Sequence, residues 1–355
     1  VEEATGFPQD TEWGIAGGQL HLFQARPITG IPPRWTRDES AERFPNDMTP
    51  LSWDLVDTGF HKSLDFSLAL MGSPPFDGQW FASHDHYIYG NQNAVALYLG
   101  RPPVVINTLD ELREALPDLT QRFRWIQDLP VTWSRDLDTF LVRIGSLSAQ
   151  PVEEWTDLRR IWNQVAEIAR VGTEYFQPNI AISITQVKLH RVLFHLLTLV
   201  VGPSRTPRLF DALMAFCDTM TWQINRELHD LATLADRNPD LKSLILDGDS
   251  REIIAQDTLD AFPEFARNFD ALLASHGHRE PELDAYHATW SEVPWIVLDH
   301  VRLILRSLKN TPTPVEKEHN LRVRMLKAEA TLFARVPTDL RFFFRELLRL
   351  ARLYT

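Results

Sequence analysis

Glu12, Gln24 and Arg26 fall within "QDTEWGIAGGQLHLFQARPITG" (residues 9–30), and their types are those of a metal and phosphate site. A carboxylate and an amide oxygen are hard ligands suited to Mg2+, and a guanidinium fork matches phosphate oxygens. Gln24 and Arg26 are two residues apart, so on a strand they share a face. The same groups would equally serve as the solvated side chains of an exposed hairpin. Elsewhere, "HDH" (84–86) sets His84 and His86 on one strand face with Asp85 opposite, which is two of the three ligands a metal site needs. No third ligand follows at a diagnostic spacing, and a polar rim beside Trp80, Phe81, Tyr87 and Tyr89 is the plainer reading. "GNQN" (90–93) is either a turn or a pair of amides, Asn91 and Asn93, offered to a polar substrate. His276 and His278 flank Gly277 in a loop, either as surface residues or as groups that titrate near neutrality and donate to a substrate hydroxyl. His190 and His195 lie in an apolar helix and read as hydrogen-bonded core residues.

The elements that must position these groups follow from local signals. Gly17-Gly18 is a hairpin dipeptide between two runs of strand character, and Pro27 ends the second. "TGIPPRW" (29–35) carries two prolines and a glycine and marks a linker. Thr49 caps a helix that has Pro50 at its first position and Gly72 as its stop. "GQWFASHDHYIYGNQNAVALYLG" (78–100) suggests a short strand or two. Thr108 and Glu111 form a capping box, and from there to Thr355 apolar residues recur at helical spacing. That spacing predicts helices at 108–116, 119–147, 152–176, 183–201, 206–235, 257–275, 291–308, 314–335 and 337–354. In the last of these, Arg341, Arg345, Arg349 and Arg352 form a stripe, read either as the solvated side of a packed helix or as a phosphate or membrane face.

"PQDTEW", a glycine-rich turn and "LHLFQARPIT" together resemble the end of the ATP-grasp domain of the phosphoenolpyruvate synthase and pyruvate phosphate dikinase family. The resemblance implies that Glu12 and Gln24 help hold Mg2+, that Arg26 touches ATP phosphates, and that Asp10 supports them. "RWTRDESAERFPNDMTPLSWDLVDTGF" is similar to the start of the helical domain in rifampin phosphotransferase-like members, which grips the acceptor. "HGHREPELDAYHATWSEVPWIVLDHV" resembles a loop of that domain, with Gly277, Arg279, Glu282, Trp290, Glu292 and Pro294 at its motif positions and Glu280 where glycine is usual. His278, Arg279, Glu282, Asn91 and Asn93 are the substrate-binding candidates. The chain is thus expected to be mainly α, a large multi-helix domain preceded by a β-hairpin that is the remnant of an ATP-grasp domain. Its expected organisation is hairpin 1–29, linker 30–35 and helical acceptor-binding domain 36–355, shortened at its C-terminus.

The phosphate-binding lysine, the glycine-rich loop and the "GG-x-x-S-H" phosphohistidine motif of the family do not occur in these residues. ATP and Mg2+ are therefore expected in a parent enzyme with an upstream ATP-grasp domain and a downstream phosphohistidine domain, and not on this chain alone. That parent would move phosphate from ATP through the phosphohistidine to a hydroxyl of a small molecule, with a rifamycin-like antibiotic among the acceptors. The alternative is a non-catalytic module, derived from the same family, that binds or sequesters a small molecule. Composition agrees: 36 Lys+Arg against 48 Asp+Glu give a formal charge of −12, which opposes nucleic acid. Val1 opens the chain without a methionine or a secretory n-region, so the start reads as cut. The run "VLFHLLTLVVG" (192–202) is too short to span a bilayer and reads as a buried core helix. One cysteine, Cys217, forms no internal disulfide and fits a reducing cytoplasm.

Overall fold

The structure, a computed structural model, describes residues 1–5, 7–28, 30–38, 40–98, 106–148, 157–280 and 284–355. The chain is mainly helical, with only small antiparallel strand pairings among the described residues, and divides into two compact units, Val1–His195 and Leu196–Leu353.

The first unit opens with helix α1 (Glu2–Thr5) and a ribbon of β1 (Gln9–Ala16) and β2 (Gln19–Pro27). Gly17 and Gly18 take φ of 62° and 77°, the left-handed pair that a two-residue turn of this twist requires. A three-stranded sheet follows in the order β3 (Trp35–Thr36), β5 (Tyr87–Asn91), β4 (Phe81–His84), with helix α2 (Ser40–Arg43) and helix α3 (Pro50–Leu70) inserted after β3. Thr49 caps α3 by accepting from the Ser52 N–H, and Gly72 at φ 74° stops the chain just beyond it. Helix α4 (Gln92–Tyr98) leads to α5 (Leu109–Arg122), α6 (Trp125–Ser148) and α7 (Leu158–Val201). The core of this unit is strongly aromatic. Phe44, Phe60, Phe76, Trp80 and Tyr98 are buried with Leu64, Leu68 and Ile88, and their rings meet edge to face.

Helix α7 corrects one expectation. Separate helices are expected at 152–176 and 183–201, yet one helix runs across the interval between them, Pro178 included. Proline supplies no N–H to the helix, so carbonyls in the preceding turn need other donors. Trp133 of α6 provides one, its indole N–H donating to the Tyr175 carbonyl at 3.0 Å, and Ser63 of α3 adds hydrogen bonds at the proline itself, donating to the Gln177 carbonyl at 2.6 Å and accepting from the Ile180 N–H at 3.4 Å. Residues 152–156 of the expected helix lie outside the described residues. Among the described residues α7 is the helix that by length and composition could cross a bilayer. A third of its apolar window is buried within the protein. His195, read as a core residue, is exposed, with its Nε2 2.5 Å from the Ile106 carbonyl oxygen.

In the second unit the expected helix 206–235 is two, α8 (Thr206–Leu213) and α9 (Met220–Arg237), because Thr219 caps a fresh start by accepting from the Trp222 N–H at 3.3 Å. Two short helices, α10 (Pro239–Asp247) and α11 (Ser250–Ala255), occupy a stretch for which none was expected. Asn238 caps the first and Asp249 the second, each side chain accepting from backbone N–H groups of the first turn. A 3-10 turn (Thr258–Ala261) precedes α12 (Pro263–His276), and α13 (Trp295–Ser307), α14 (Pro314–Phe333) and α15 (Arg341–Leu353) complete the unit. Its core joins Leu228, Leu231 and Ala235 of α9 to Ile245, Ile253, Phe265, Phe269, Leu272, Val297, Leu298 and Val301. Arg302 of α13 ties α10 in place. Its guanidinium donates to the Ile245 and Gly248 carbonyls, both at 2.6 Å, and pairs with Asp299 at 2.6 Å. The last carbonyls of a helix lack intrahelical donors, and a cation is the favourable partner there.

The capping box expected at Thr108 forms by half. Thr108 accepts from the Glu111 N–H at 3.1 Å, but the Glu111 carboxylate reaches back to the N–H of Asn107 instead. The complete box is at Thr313 and Glu316, at the start of α14.

Candidate functional site

On the hairpin, Asp10 pairs with Arg26 across the ribbon and Glu12 with Gln24. Directly opposed residues of an antiparallel pair point to the same side, and so do residues two apart on one strand. All four polar groups therefore share one face, and all are exposed. A β-bulge follows at Glu12/Trp13, where β2 carries the extra residue Phe23. The donor set, two carboxylates and an amide oxygen, fits a hard cation such as Mg2+. Arg26 is already engaged, with Nε and Nη2 both donating to one Asp10 carboxylate oxygen at 3.0 and 2.8 Å. That hydrogen bond, then the Asp10 charge, holds the guanidinium above its ordinary pKa. The fork can meet phosphate with its remaining N–H groups, or with all of them once Asp10 turns to a metal. Among the described residues no group of three or more His, Cys, Asp or Glu side chains is placed to hold a metal ion, so Gln24 is needed to complete any such set.

The "HDH" segment is a turn, which corrects the reading of it as strand. Asp85 and His86 take φ of 48° and 68°, reversing the chain between β4 and β5, so His84 and His86 do not share a strand face. Asn91 is 1% exposed and its amide is used within the fold. The oxygen accepts from the N–H of Arg34 and of Ala94, both at 3.3 Å, and the nitrogen donates to the Gln79 carbonyl at 3.1 Å. Asn93 donates to the Pro32 carbonyl at 2.9 Å. Both amides thus fasten the 32–34 segment to the start of α4.

The loop after α12 is built on close backbone contact. Gly277 accepts from the Ser291 N–H at 2.8 Å, and Arg279 accepts from the Trp290 N–H at 2.9 Å. A Cβ at 277 would fall closer than 3.0 Å to both Ser291 Oγ and the Leu273 carbonyl oxygen, so only glycine lets the two segments approach this far. Glu280, where glycine is usual, has no left-handed backbone, so its side chain brings no strain of that kind. Arg279 lies over the Trp290 ring, 5.5 Å from its centroid. His276, buried at the end of α12, is 3.1 Å from Glu227 of α9, and His278 is exposed. Burial raises the Glu280 carboxyl above the usual carboxylate range; His287 opposes this and the Asp284 charge adds to it. Glu292 is held below that range, first by the backbone N–H of Thr289 and then by its hydroxyl. Glu282 lies outside the described residues.

The second unit therefore gathers His276, His278, Arg279 and Trp290 about one loop, while Asn91 and Asn93 belong to the first unit. Two nearby residues carried no sequence signal. Glu227 is one polar position among many on the amphipathic α9, and His300 sits inside α13. The His300 ring is 5.7 Å from that of Trp290, and its Nδ1 is buried with no hydrogen-bond partner among the described residues. An imidazole nitrogen in that condition is a place for a ligand donor or a water.

The family model for the rifampicin phosphotransferase fourth domain matches residues 175–355, a span that contains this whole loop. No curated relative matches the chain. A match over half the chain, on a helical unit of this build, means that the chain belongs to the rifampicin phosphotransferase family, within the broader phosphoenolpyruvate synthase and pyruvate phosphate dikinase group.

Proposed function

We propose that this chain is the acceptor-binding part of an ATP-dependent phosphotransferase. In the parent enzyme, phosphate passes from ATP through a histidine on another domain to a hydroxyl of a small molecule held by the helical unit, and the favoured acceptor is a rifamycin-like antibiotic. The family match over residues 175–355 carries the reading. The loop supports it chemically. Arg279 over Trp290 offers a cation beside an aromatic wall for a large apolar ligand, and the exposed His278 can hydrogen-bond a hydroxyl. Phosphoryl transfer asks the protein mainly to position groups and to stabilise charge, which such a set can do.

ATP and Mg2+ belong to the parent. Asp10, Glu12 and Gln24 are suited to the metal and Arg26 to phosphate, completed by an upstream ATP-grasp domain; the metal would neutralise charge on the transferring phosphates. The expected partners are that domain, the phosphohistidine domain and the acceptor, with neither nucleic acid nor membrane, in the cytoplasm.

Calorimetric titration of the 355-residue chain with rifamycin SV and, separately, with pyruvate tests the reading. Saturable rifamycin binding that weakens about tenfold in Arg279→Gln, with no ATP hydrolysis and no phosphorylated product, is the expected result. No rifamycin binding, saturation by pyruvate instead, or turnover of ATP by the chain alone would each overturn it.

A further inference from the structure

Within the unit Leu196–Leu353, a cleft of about 270 Å3 opens between α14 and α15, lined by Glu329, Phe333, Arg345, Leu348, Arg349 and Arg352. None of these residues belongs to the hairpin or to the His276–Trp290 loop. The lining holds three guanidinium groups and one carboxylate in a chain whose formal charge is −12. Its charges are unequally engaged. Arg352 is fixed, with Nε and Nη2 donating to the Leu213 carbonyl at 3.0 and 2.7 Å and Nη1 paired with Glu329 at 2.6 Å. The Glu329 charge is thereby committed to Arg352. Arg349 uses Nε on Glu346 at 3.0 Å, and its Nη groups bond no other side chain among the described residues. Arg345 has no carboxylate partner among the described residues; its guanidinium lies over the Phe333 ring, 5.4 Å from the centroid.

Arg345 and Arg349 are four residues apart on α15, where like charges are neighbours and destabilise a helix unless something negative lies between them. Phe333 and the buried Leu348 supply an apolar wall beside that pair. The volume is below the roughly 300–1,000 Å3 of pockets for drug-sized ligands, which limits the occupant to a small molecule. We propose that this cleft binds a small organic anion. Its single carboxylate or phosphate head would sit between Arg345 and Arg349, and its aromatic or short aliphatic body against Phe333 and Leu348. The arginine stripe of α15 is then a binding feature as well as a solvated helix face.

Titration of the 355-residue chain with phenyl phosphate, benzoate, inorganic phosphate and benzyl alcohol, followed by NMR line broadening and calorimetry, tests this. Phenyl phosphate and benzoate are expected to saturate, inorganic phosphate to bind more weakly and benzyl alcohol not at all. Which of the two organic anions binds more tightly separates a phosphate from a carboxylate ligand. Arg345→Gln should weaken phenyl phosphate about tenfold, and Arg345→Lys less. Phe333→Leu should weaken phenyl phosphate but leave inorganic phosphate unchanged. Arg352 is left intact because it fastens α15 to α8. The proposal falls if phenyl phosphate does not saturate, or if Arg345→Gln and Arg349→Gln bind it as the parent chain does. It also falls if the chain sediments with phosphatidylserine vesicles while ignoring phenyl phosphate, which would make the stripe a membrane face.

Discussion

Replacing Gly277 by alanine separates two opposed effects whose sizes follow from the structure. Gly277 has φ −63° and ψ −16°, a helical conformation that alanine adopts freely. On backbone grounds alone the change should stabilise by about 0.4–1 kcal/mol, because the unfolded chain loses freedom. The added Cβ, however, falls closer than 3.0 Å to both Ser291 Oγ and the Leu273 carbonyl oxygen. The serine side chain can rotate away, but the Leu273 carbonyl is helix backbone and cannot. The loop must then move off α12, straining the 2.7 Å bond from the Gly277 N–H to Leu273 and the 2.8 Å bond from the Ser291 N–H to Gly277. Overpacking costs about 1–3 kcal/mol and a lost hydrogen bond about 1, so the net destabilisation is about 2 kcal/mol. For a unit of this size that lowers the melting temperature by about 4–8 °C. Circular dichroism and tryptophan fluorescence should be followed together, since two compact units need not unfold in one step. Amide exchange at Trp290 and Ser291 should accelerate. Gly277→Ala combined with Ser291→Gly should recover only part of the loss. A single variant that melts at or above the parent temperature would refute the steric account of this loop.

Ser63→Ala should cost about 1–2 kcal/mol in chemical denaturation, because it removes the donor to Gln177 beside Pro178 from a site that is 2% exposed. Arg302→Met should cost about 2–4 kcal/mol and speed amide exchange in α10, since two carbonyls and Asp299 lose a charged donor together. The Glu280 carboxyl, raised in the folded state, binds its proton there more readily than in the unfolded chain. Its contribution to stability is therefore full below the ordinary carboxylate range and is lost as pH rises through the folded value. Denaturation midpoints measured across that range should fall less steeply with pH in Glu280→Gln than in the parent, and parallel curves would contradict the assignment.

Much of the candidate chemistry was legible because it is local. Glu12, Gln24 and Arg26 are on one hairpin, and the Gly17-Gly18 turn sets both their register and the face they share. Thr49 with Pro50 announces its helix, since a cap acts within one turn of the chain. The same rules misplaced what distant residues decide. Pro178 lies inside a helix where residues far off in sequence supply hydrogen bonds, Trp133 to the Tyr175 carbonyl and Ser63, 114 positions away, to that of Gln177. "HDH" looked like alternating strand, but its residues take the left-handed turn that lets β4 and β5 pair.

By itself, then, the sequence determined the helical class, the hairpin with its polar face and the motif-bearing loop, because periodicity, caps and glycine turns act over a few residues. Tertiary structure alone decided which of those groups stay available. It buried Asn91 in three hydrogen bonds, brought Glu227 to His276 across 49 positions, and left Arg345 over a phenyl ring while Arg352 took the carboxylate. Such partnerships depend on how helices pack side by side, and no local pattern in a chain records which far residue will arrive.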